Sequence, residues 1–343
     1  MSHIEILCLN YLKENSPMKV AIAQTSFDEQ INEWIDYCES KSIEHVIVNP
    51  YDNDIIKTIS DCDIFMWHHS QMVFKDLLFA KQLLFSLQQA GMTVYPNFNS
   101  NWHFDDKLGQ KYLLEATGAP LVKSYVFYDK IEAINWARYT NYPKVFKLRC
   151  GAAATNVVLI HSFSECKKYI DKAFGKGFEA YSYSVLKEVL RKILYKFLGK
   201  SLPLKLHKEK GYVYFQDFMP NNAYDTRIVV VAGKYAIAER RMNRENDFRA
   251  SGSGRFAFDK IDIDMVRISF DVAKKLKLQS VAYDFVYDIN GSPKIVEICY
   301  GFGVKGISQC PGYYTDDLEW HSCDNVPIHK WIIAAVVEEL KVE

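Results

Sequence analysis

The chain has 343 residues, with 42 Lys+Arg against 42 Asp+Glu, 49% hydrophobic and 24% charged residues. That length suits about two domains, and the composition excludes a disordered chain, which needs low hydrophobicity and high net charge. A formal net charge of zero removes the simplest argument for a nucleic-acid binder, a strong positive field.

The first hundred residues alternate strand and helix. KVAIAQ (19–24) reads as a strand and 28–41 as a helix capped by Asp28. HVIVN (45–49) and DIFMWHH (63–69) read as strands, 74–90 as a helix closed by Gly91, and MTVYP (92–96) as a fourth strand. This alternation predicts a parallel α/β domain over residues 1–100. The texture then changes. DDKLGQKYLLEATGAP (105–120) reads as a helix with Lys107 in its first turn, Gly118 at its end and an N-cap role for Asp105. A strand (121–128), a helix (130–140) and two strands (143–149 and 156–161) follow. The loop Cys150-Gly151-Ala152-Ala153-Ala154-Thr155 joins the last two, and its small side chains let backbone N–H groups approach an anion.

Residues 181–210 hold eight basic and two acidic residues. Leu186, Val189, Leu190, Ile193, Leu194, Phe197 and Leu198 recur there at helical spacing. A packed helix with a solvated basic face is preferred over a helix facing an anionic polymer. The remainder reads as strands 212–219, 226–233 and 234–241, an Arg-rich loop, a helix 262–277, strands 281–288 and 293–299, and a C-terminal helix 327–341.

Two features of that last part carry chemistry. Asn290-Gly291 is a two-residue hairpin signal, and counting back from it sets Asp284 directly opposite Glu297. Two carboxylates roughly 5 Å apart repel by about 3 kcal/mol at an effective dielectric near 20. A bound cation, a shared proton or a neighbouring Arg or Lys relieves this, and an oxygen-only pair best suits magnesium carried with phosphate. Second, six of the ten Arg fall between 227 and 255 (Arg227, Arg240, Arg241, Arg244, Arg249, Arg255) with Lys234 the one Lys among them. Guanidinium forks grip phosphate and carboxylate, so anion binding is preferred over a structural salt-bridge network.

The eight Cys form no C-x-x-C pair and read as buried thiols of a reducing compartment. The set Cys310, His321, Cys323 and His329 fits no trusted zinc spacing. No apolar run approaches a membrane span, and the short apolar piece Ile4 to Leu12 lacks the flanks of a signal peptide. A cytoplasmic protein is expected, with no nucleic-acid partner and its oligomeric state left open.

Taken in order, these pieces resemble the ATP-grasp superfamily over roughly residues 18–340. The resemblance implies an ATP-grasp fold behind an N-terminal α/β domain, with 101–215 as the phosphate-binding lobe and 216–343 as the metal-site lobe. It implies ATP and magnesium as cofactors, and a carbon–nitrogen ligase joining a small-molecule carboxylate to an amine through an acyl phosphate. Lys107 and Lys147 match the lysines that hold ATP phosphates. Gly151, Ala152 and Ala153 match the loop that closes over them. Gln216, Asp217, Phe218 and Met219 match the linker that reads adenine, and Asp225 to Arg227 match the D-x-R after it. Asp284 and Glu297 match the magnesium carboxylates. Arg227, Arg241, Arg249 and Arg255 are the implied catalytic arginines, with Ser253 beside them and His321 a lesser candidate. YDTRIVVV, NDFRASGSG and QSVAYDFVYD further resemble ATP-grasp proteins of bacterial surface-polysaccharide assembly, which implies nucleotide-sugar or polysaccharide-linked substrates. Two positions depart from the superfamily pattern. Cys299 stands where Asn usually follows the metal-binding Glu, which leaves one metal or two open, and the phosphate loop has a single Gly. A phosphotransferase on the same fold and a non-catalytic ATP-binding protein are the competing readings.

Overall fold

The computed structural model describes residues 17–25, 30–151, 154, 156–179 and 208–342. Asp28, Ala152, Ala153 and the basic stretch up to residue 207 lie outside them.

The N-terminal strands are β1 (Lys19–Ala23), β2 (Glu44–Val48), β3 (Ile64–Met66) and β4 (Thr93–Tyr95). They form a parallel sheet in the order β2-β1-β3-β4. Helices α1 (Ile31–Ser40), α2 (Ile55–Thr58) and α3 (Phe74–Gln89) connect them. The inner strands are apolar throughout because both faces are covered, as parallel sheets require. Val20, Ile22, Ile64 and Met66 pack on Trp34 of α1, while Ala21, Ala23 and Phe65 pack on Ala80, Leu84 and Leu87 of α3.

A short helix α4 (Phe98–Asn101) leads to α5 (Lys107–Ala116). The α5 cap is Asp106, not Asp105: its Oδ1 accepts from the N–H groups of Leu108 and Gly109. Asp105 instead adopts the left-handed region, with φ of 52°. Next comes a four-stranded antiparallel sheet, β5 (Ser124–Phe127), β6 (Lys144–Lys147), β7 (Val157–Ile160) and β8 (Val213–Asp217), in the order β5-β8-β6-β7. Helices α6 (Lys130–Tyr139) and α7 (Phe163–Phe174) cover one face through Ala133, Ala137, Cys166 and Ile170. Helix α7 has no counterpart among the elements expected from the sequence. Its start is nonetheless written in Ser162 and Glu165: Ser162 Oγ accepts from Glu165 N, and Glu165 Oε2 accepts from His161 N.

The largest sheet has seven strands: β9 (Tyr224–Val231), β10 (Tyr235–Met242), β11 (Phe256–Ala257), β12 (Ser280–Tyr287), β13 (Pro293–Cys299), β14 (Gly312–Thr315) and β15 (Trp320–Ser322). Their order is β13-β12-β9-β10-β14-β15, with β11 on β10. Helix α8 (Ile263–Leu276) packs on one face. The C-terminal helix α9 (Ile328–Val342) covers the other and joins the first sheet to the last, since Ile332 and Val336 share a core with Val20, Trp34, Val229 and Ile237. The strands β14 and β15 were not foreseen.

The β12–β13 hairpin pairs Asp284 with Glu297 as expected, but by another route. Asp288 N donates to Ser292 O, so the turn spans three residues, with Gly291 at φ of 77°. That shifts the register by one residue near the turn, where Tyr287 faces Pro293 and Phe285 faces Ile295. A β-bulge at Val296 shifts it back. The two departures from a regular two-residue hairpin cancel.

Among the described residues no helix is long and apolar enough to cross a membrane. Seven cysteines are described, and all are free thiols.

Candidate functional site

A cavity of about 350 Å³ opens between the four-stranded and seven-stranded sheets. Lys107, Lys147, Gly151, Gln216, Asp217, Phe218, Met219, Asp225, Arg227, Arg249, Asp284 and Glu297 all line it. Arg241 and Arg255 do not. Arg255 is exposed and donates to the Asn243 carbonyl, and Arg241 lies behind the lining. Of the lesser candidates Asp105 lines the cavity, while Ser253 and His321 do not.

Each lysine has a structural reason to be there. Lys107 opens α5, whose cap turns it inward, and its N–H donates to the Arg149 carbonyl at 2.9 Å. Lys107 Nζ donates to Gly151 O at 3.0 Å and pairs with Glu297 Oε1 at 3.0 Å. Burial opposes that ammonium charge, but Glu297 and Asp105 outweigh it and hold it above the usual lysine range. Lys147 ends β6 and donates from Nζ to Gln216 Oε1 at 2.6 Å. Burial pushes it down to about 8; Glu297 opposes that fall and Lys107 adds to it. Asp105 Oδ1 accepts from Gly151 N at 2.8 Å, which fixes the start of the small-residue loop. Its backbone conformation is uncommon for a side-chain-bearing residue and serves that contact.

At the other end, the linker from Gln216 to Met219 runs along the cavity edge. Lys144 Nζ holds Asp217 Oδ1 at 2.5 Å, and Gln216 Nε2 donates to Ser124 Oγ at 3.1 Å. Phe218 meets Phe248 edge to face.

The carboxylate pair is stabilised by cationic side chains. Arg227 Nε and Nη2 donate to the two oxygens of Asp284 at 2.8 and 3.0 Å. Arg241 Nη2 reaches Asp284 Oδ2 at 2.8 Å and clamps Asp225 at 2.6 Å from both nitrogens. Burial would raise the Asp284 carboxyl, but Arg227 and Arg241 hold it well below the usual range. Glu297 is the more accessible member, its side chain 32% exposed against 15% for Asp284. Lys107, Arg227 and Arg241 thus supply the neighbouring-cation remedy for the repulsion of the two carboxylates.

The arginine cluster is also largely paired within the chain, so the salt-bridge network is present alongside any anion binding. Arg240 pairs with Asp259, Arg249 with Asp247, and Arg244 donates to the Ser251 carbonyl. Arg249 Nη1 also donates to Ala154 O at 3.1 Å, tying the 244–255 segment to the small-residue loop across the cavity mouth. Several site residues were not legible as such. Gln71 comes from the loop after β3 and carries no motif. Arg149 links Asp106 to Glu209 and follows Lys147 at strand spacing, a signal that was present in VFKLR. No metal cluster forms at Cys310, His321, Cys323 and His329. Cys310 donates to Ala238 and Gly312 carbonyls, and among the described residues no group of three or more His, Cys, Asp or Glu is placed to hold a metal.

No protein-family model and no curated protein sequence matches the chain. Solved structures do. A RimK-domain ATP-grasp protein of Sphaerobacter thermophilus superposes with a TM-score of 0.60 at 14% identity, covering 93% of this chain and 99% of its own. The D-cycloserine synthetase DcsG gives 0.59 at 12% identity, over 94% and 99%. A D-alanine–D-alanine ligase of Bacillus anthracis, crystallised with ATP, gives 0.53 at 13%, over 95% and 98%. The chain therefore has the ATP-grasp fold, with an N-terminal parallel sheet ahead of it. Carboxylate–amine ligases are among the proteins that share it.

Proposed function

We propose that this chain is an ATP- and magnesium-dependent ligase that joins a carboxylate to an amine through an acyl phosphate, forming ADP. One observation carries the reading: Lys107 and Lys147, both buried cations, face Glu297 and Asp284 across a single cavity edged by the 216–219 linker. A triphosphate brought in with a metal ion needs such cations and oxygen donors in one cavity.

The donor set fits magnesium that arrives with its nucleotide. Glu297 and Asp284 offer oxygens from paired strands, and no third protein ligand among the described residues makes a protein-only site. Cys299 adds nothing to it, since burial pushes its thiol up to about 12 and a neutral thiol is a poor magnesium ligand. Bound there, magnesium would draw charge from the β- and γ-phosphate oxygens.

The chain's own groups do the rest by positioning and charge. Lys107 and Lys147 neutralise the phosphates, and the loop that Gly151 opens, with Ala152 and Ala153 as its small side chains, allows them a close approach. The 216–219 linker holds the base, with Asp225 beyond it. Arg227 and Arg249, on the cavity wall, steady the transferred phosphoryl group or the acid. Arg241 acts from behind Arg227, and Arg255 borders the 251–255 segment. The substrate carboxylate attacks the γ-phosphorus, the amine then attacks the acyl carbon, and phosphate leaves. A sugar acid or amino-acid-type substrate for surface polysaccharide rests on motif resemblance alone.

A second reading, a non-catalytic nucleotide binder, is favoured by Cys299 and by the locking of Asp284 between two arginines. The two separate when the protein is incubated with ATP, magnesium and pooled acids and amines, with products read by mass spectrometry. ADP that requires both an acid and an amine supports the ligase. Bound nucleotide without ADP supports the second reading. A stable phosphorylated product formed without amine supports a phosphotransferase.

A further inference from the structure

One deeply buried acid beside the site has no assigned role. Glu239 lies on β10 opposite Arg227, Arg227 lies opposite Asp284, and Asp284 lies opposite Glu297. The four make one in-register row across β10, β9, β12 and β13, so their side chains leave the same face of the sheet. In the neighbouring row Asp225 faces Arg241. Three acids (Asp225, Asp284 and Glu239) thus share two guanidinium groups.

Both guanidiniums are turned away from Glu239. Arg227 gives both of its bonds to Asp284, and Arg241 divides its own between Asp225 and Asp284. Glu239 is 2% exposed, and its Oε2 has no hydrogen-bond partner. Gly306 and Phe256 close over it. A Cβ at position 306 would run into Oε2 and come within 2.7 Å of the Phe256 ring. Cys310 faces it from the 301–310 segment, but that thiol is directed at the Ala238 and Gly312 carbonyls. An ionised carboxylate so placed is costly. Burial accordingly raises the Glu239 carboxyl to about 7, against the opposing pull of Arg227 and Arg241 and with Asp284 and Asp225 adding to the rise.

We propose that Glu239 is a positioning residue that exchanges a proton for Arg227. It is held as the neutral acid while Asp284 occupies the guanidiniums, and it ionises to receive Arg227 when a magnesium–nucleotide complex draws on Asp284. This rests on the nucleotide reading given above. Positive charge arriving beside Asp284 competes with Arg227 for the same oxygens. Strand neighbours lie roughly 5 Å apart, so the long arginine side chain reaches either partner in its row. Glu239–COOH becomes Glu239–COO⁻, and the proton passes to buffer. Arg227 then stays paired at the cavity wall.

The test is calorimetric titration of the protein with the β,γ-imido analogue of ATP and saturating magnesium, in buffers of low and high ionisation enthalpy. The buffer dependence of the heat counts protons. The wild type should release more protons per site than Glu239→Gln, by about half a proton at pH 7, near one at pH 6 and almost none at pH 9, because uptake at Lys147 is common to both and cancels. Glu239→Gln should bind without that release. Equal proton counts in the two proteins, with binding retained, would overturn the proposal. So would a wild type that releases no proton at pH 6, where Lys147 is already charged, a result that needs no variant. No binding heat at all in the wild type would instead remove the nucleotide reading, and this inference with it.

Discussion

Replacing Asp284 by Asn leaves Arg227 and Arg241, both largely buried, with Asp225 as the one ionised acid of the cluster. Breaking a buried ion pair from one side costs roughly 3–5 kcal/mol, because the other charge is left uncompensated. The side chains of Asp284 and Arg227 are 15% and 17% exposed, so the lower end, about 3 kcal/mol, is the expected loss. Glu239 should offset part of it. At pH 8 its carboxyl, set at about 7, ionises readily and gives Arg227 a new partner. The double variant Asp284→Asn, Glu239→Gln should therefore be less stable than the two single effects combined by about 1 kcal/mol, within the usual range for contacting groups. Urea unfolding at pH 8, followed by the fluorescence of the six tryptophans, reads both quantities from midpoints at unchanged slope. A loss below about 1 kcal/mol for Asp284→Asn would refute the premise that this carboxylate neutralises a buried guanidinium pair.

Lys147 gives a pH prediction. Its charged form is the one that binds phosphate, and burial already lowers its pKa to about 8. The kcat/KM for ATP should therefore fall as pH rises through about 8, since that profile reports groups of the unliganded enzyme. Lys147→Arg, which stays charged, should lose that alkaline limb at whatever level it works; an unchanged limb would point to another group. Gly306→Ala should lower the urea midpoint by the equivalent of about 1–3 kcal/mol, because the added methyl has no room between Glu239 and Phe256; an unchanged midpoint would mean that the segment yields freely. Glu239→Gln should also change how stability depends on pH. A carboxyl raised on folding stabilises the protein below its unfolded pKa, and that contribution is lost as pH rises toward 7. The wild type should lose stability over pH 5 to 8 relative to this variant, and parallel curves would contradict it.

The parallel sheet was legible because its inner strands are apolar on both faces and separated by helical periods. The Asp284–Glu297 pairing was legible from Asn290-Gly291, though only because a longer turn and a bulge at Val296 offset each other. A bulge leaves no sequence mark when the extra residue is an ordinary valine. The cations that neutralise the pair were not legible for a similar reason. Its partners Arg227 and Arg241 come from strands distant in sequence, so the network that binds them depends on sheet order rather than spacing. Asp105 and Asp106 are adjacent acids, and either can cap a helix. What separates them is the left-handed turn at Asp105, whose side chain accepts from Gly151 N instead. Glu239 carries no mark of burial in the sequence, and the closure of Gly306 over it makes it a buried acid. The helix α7 was an omission of another kind, since Ser162 and Glu165 spelled its start.

The most direct test of the central claim is ADP formation from ATP and magnesium by the wild type and Glu297→Gln, with a pool of acids and amines and mass analysis of the products. The account predicts ADP and a new amide that appear only when both an acid and an amine are present. It predicts that Glu297→Gln, still folded by circular dichroism, gives neither at any magnesium concentration. Full turnover by Glu297→Gln, or a wild type that forms ADP with no need for an amine, would contradict it.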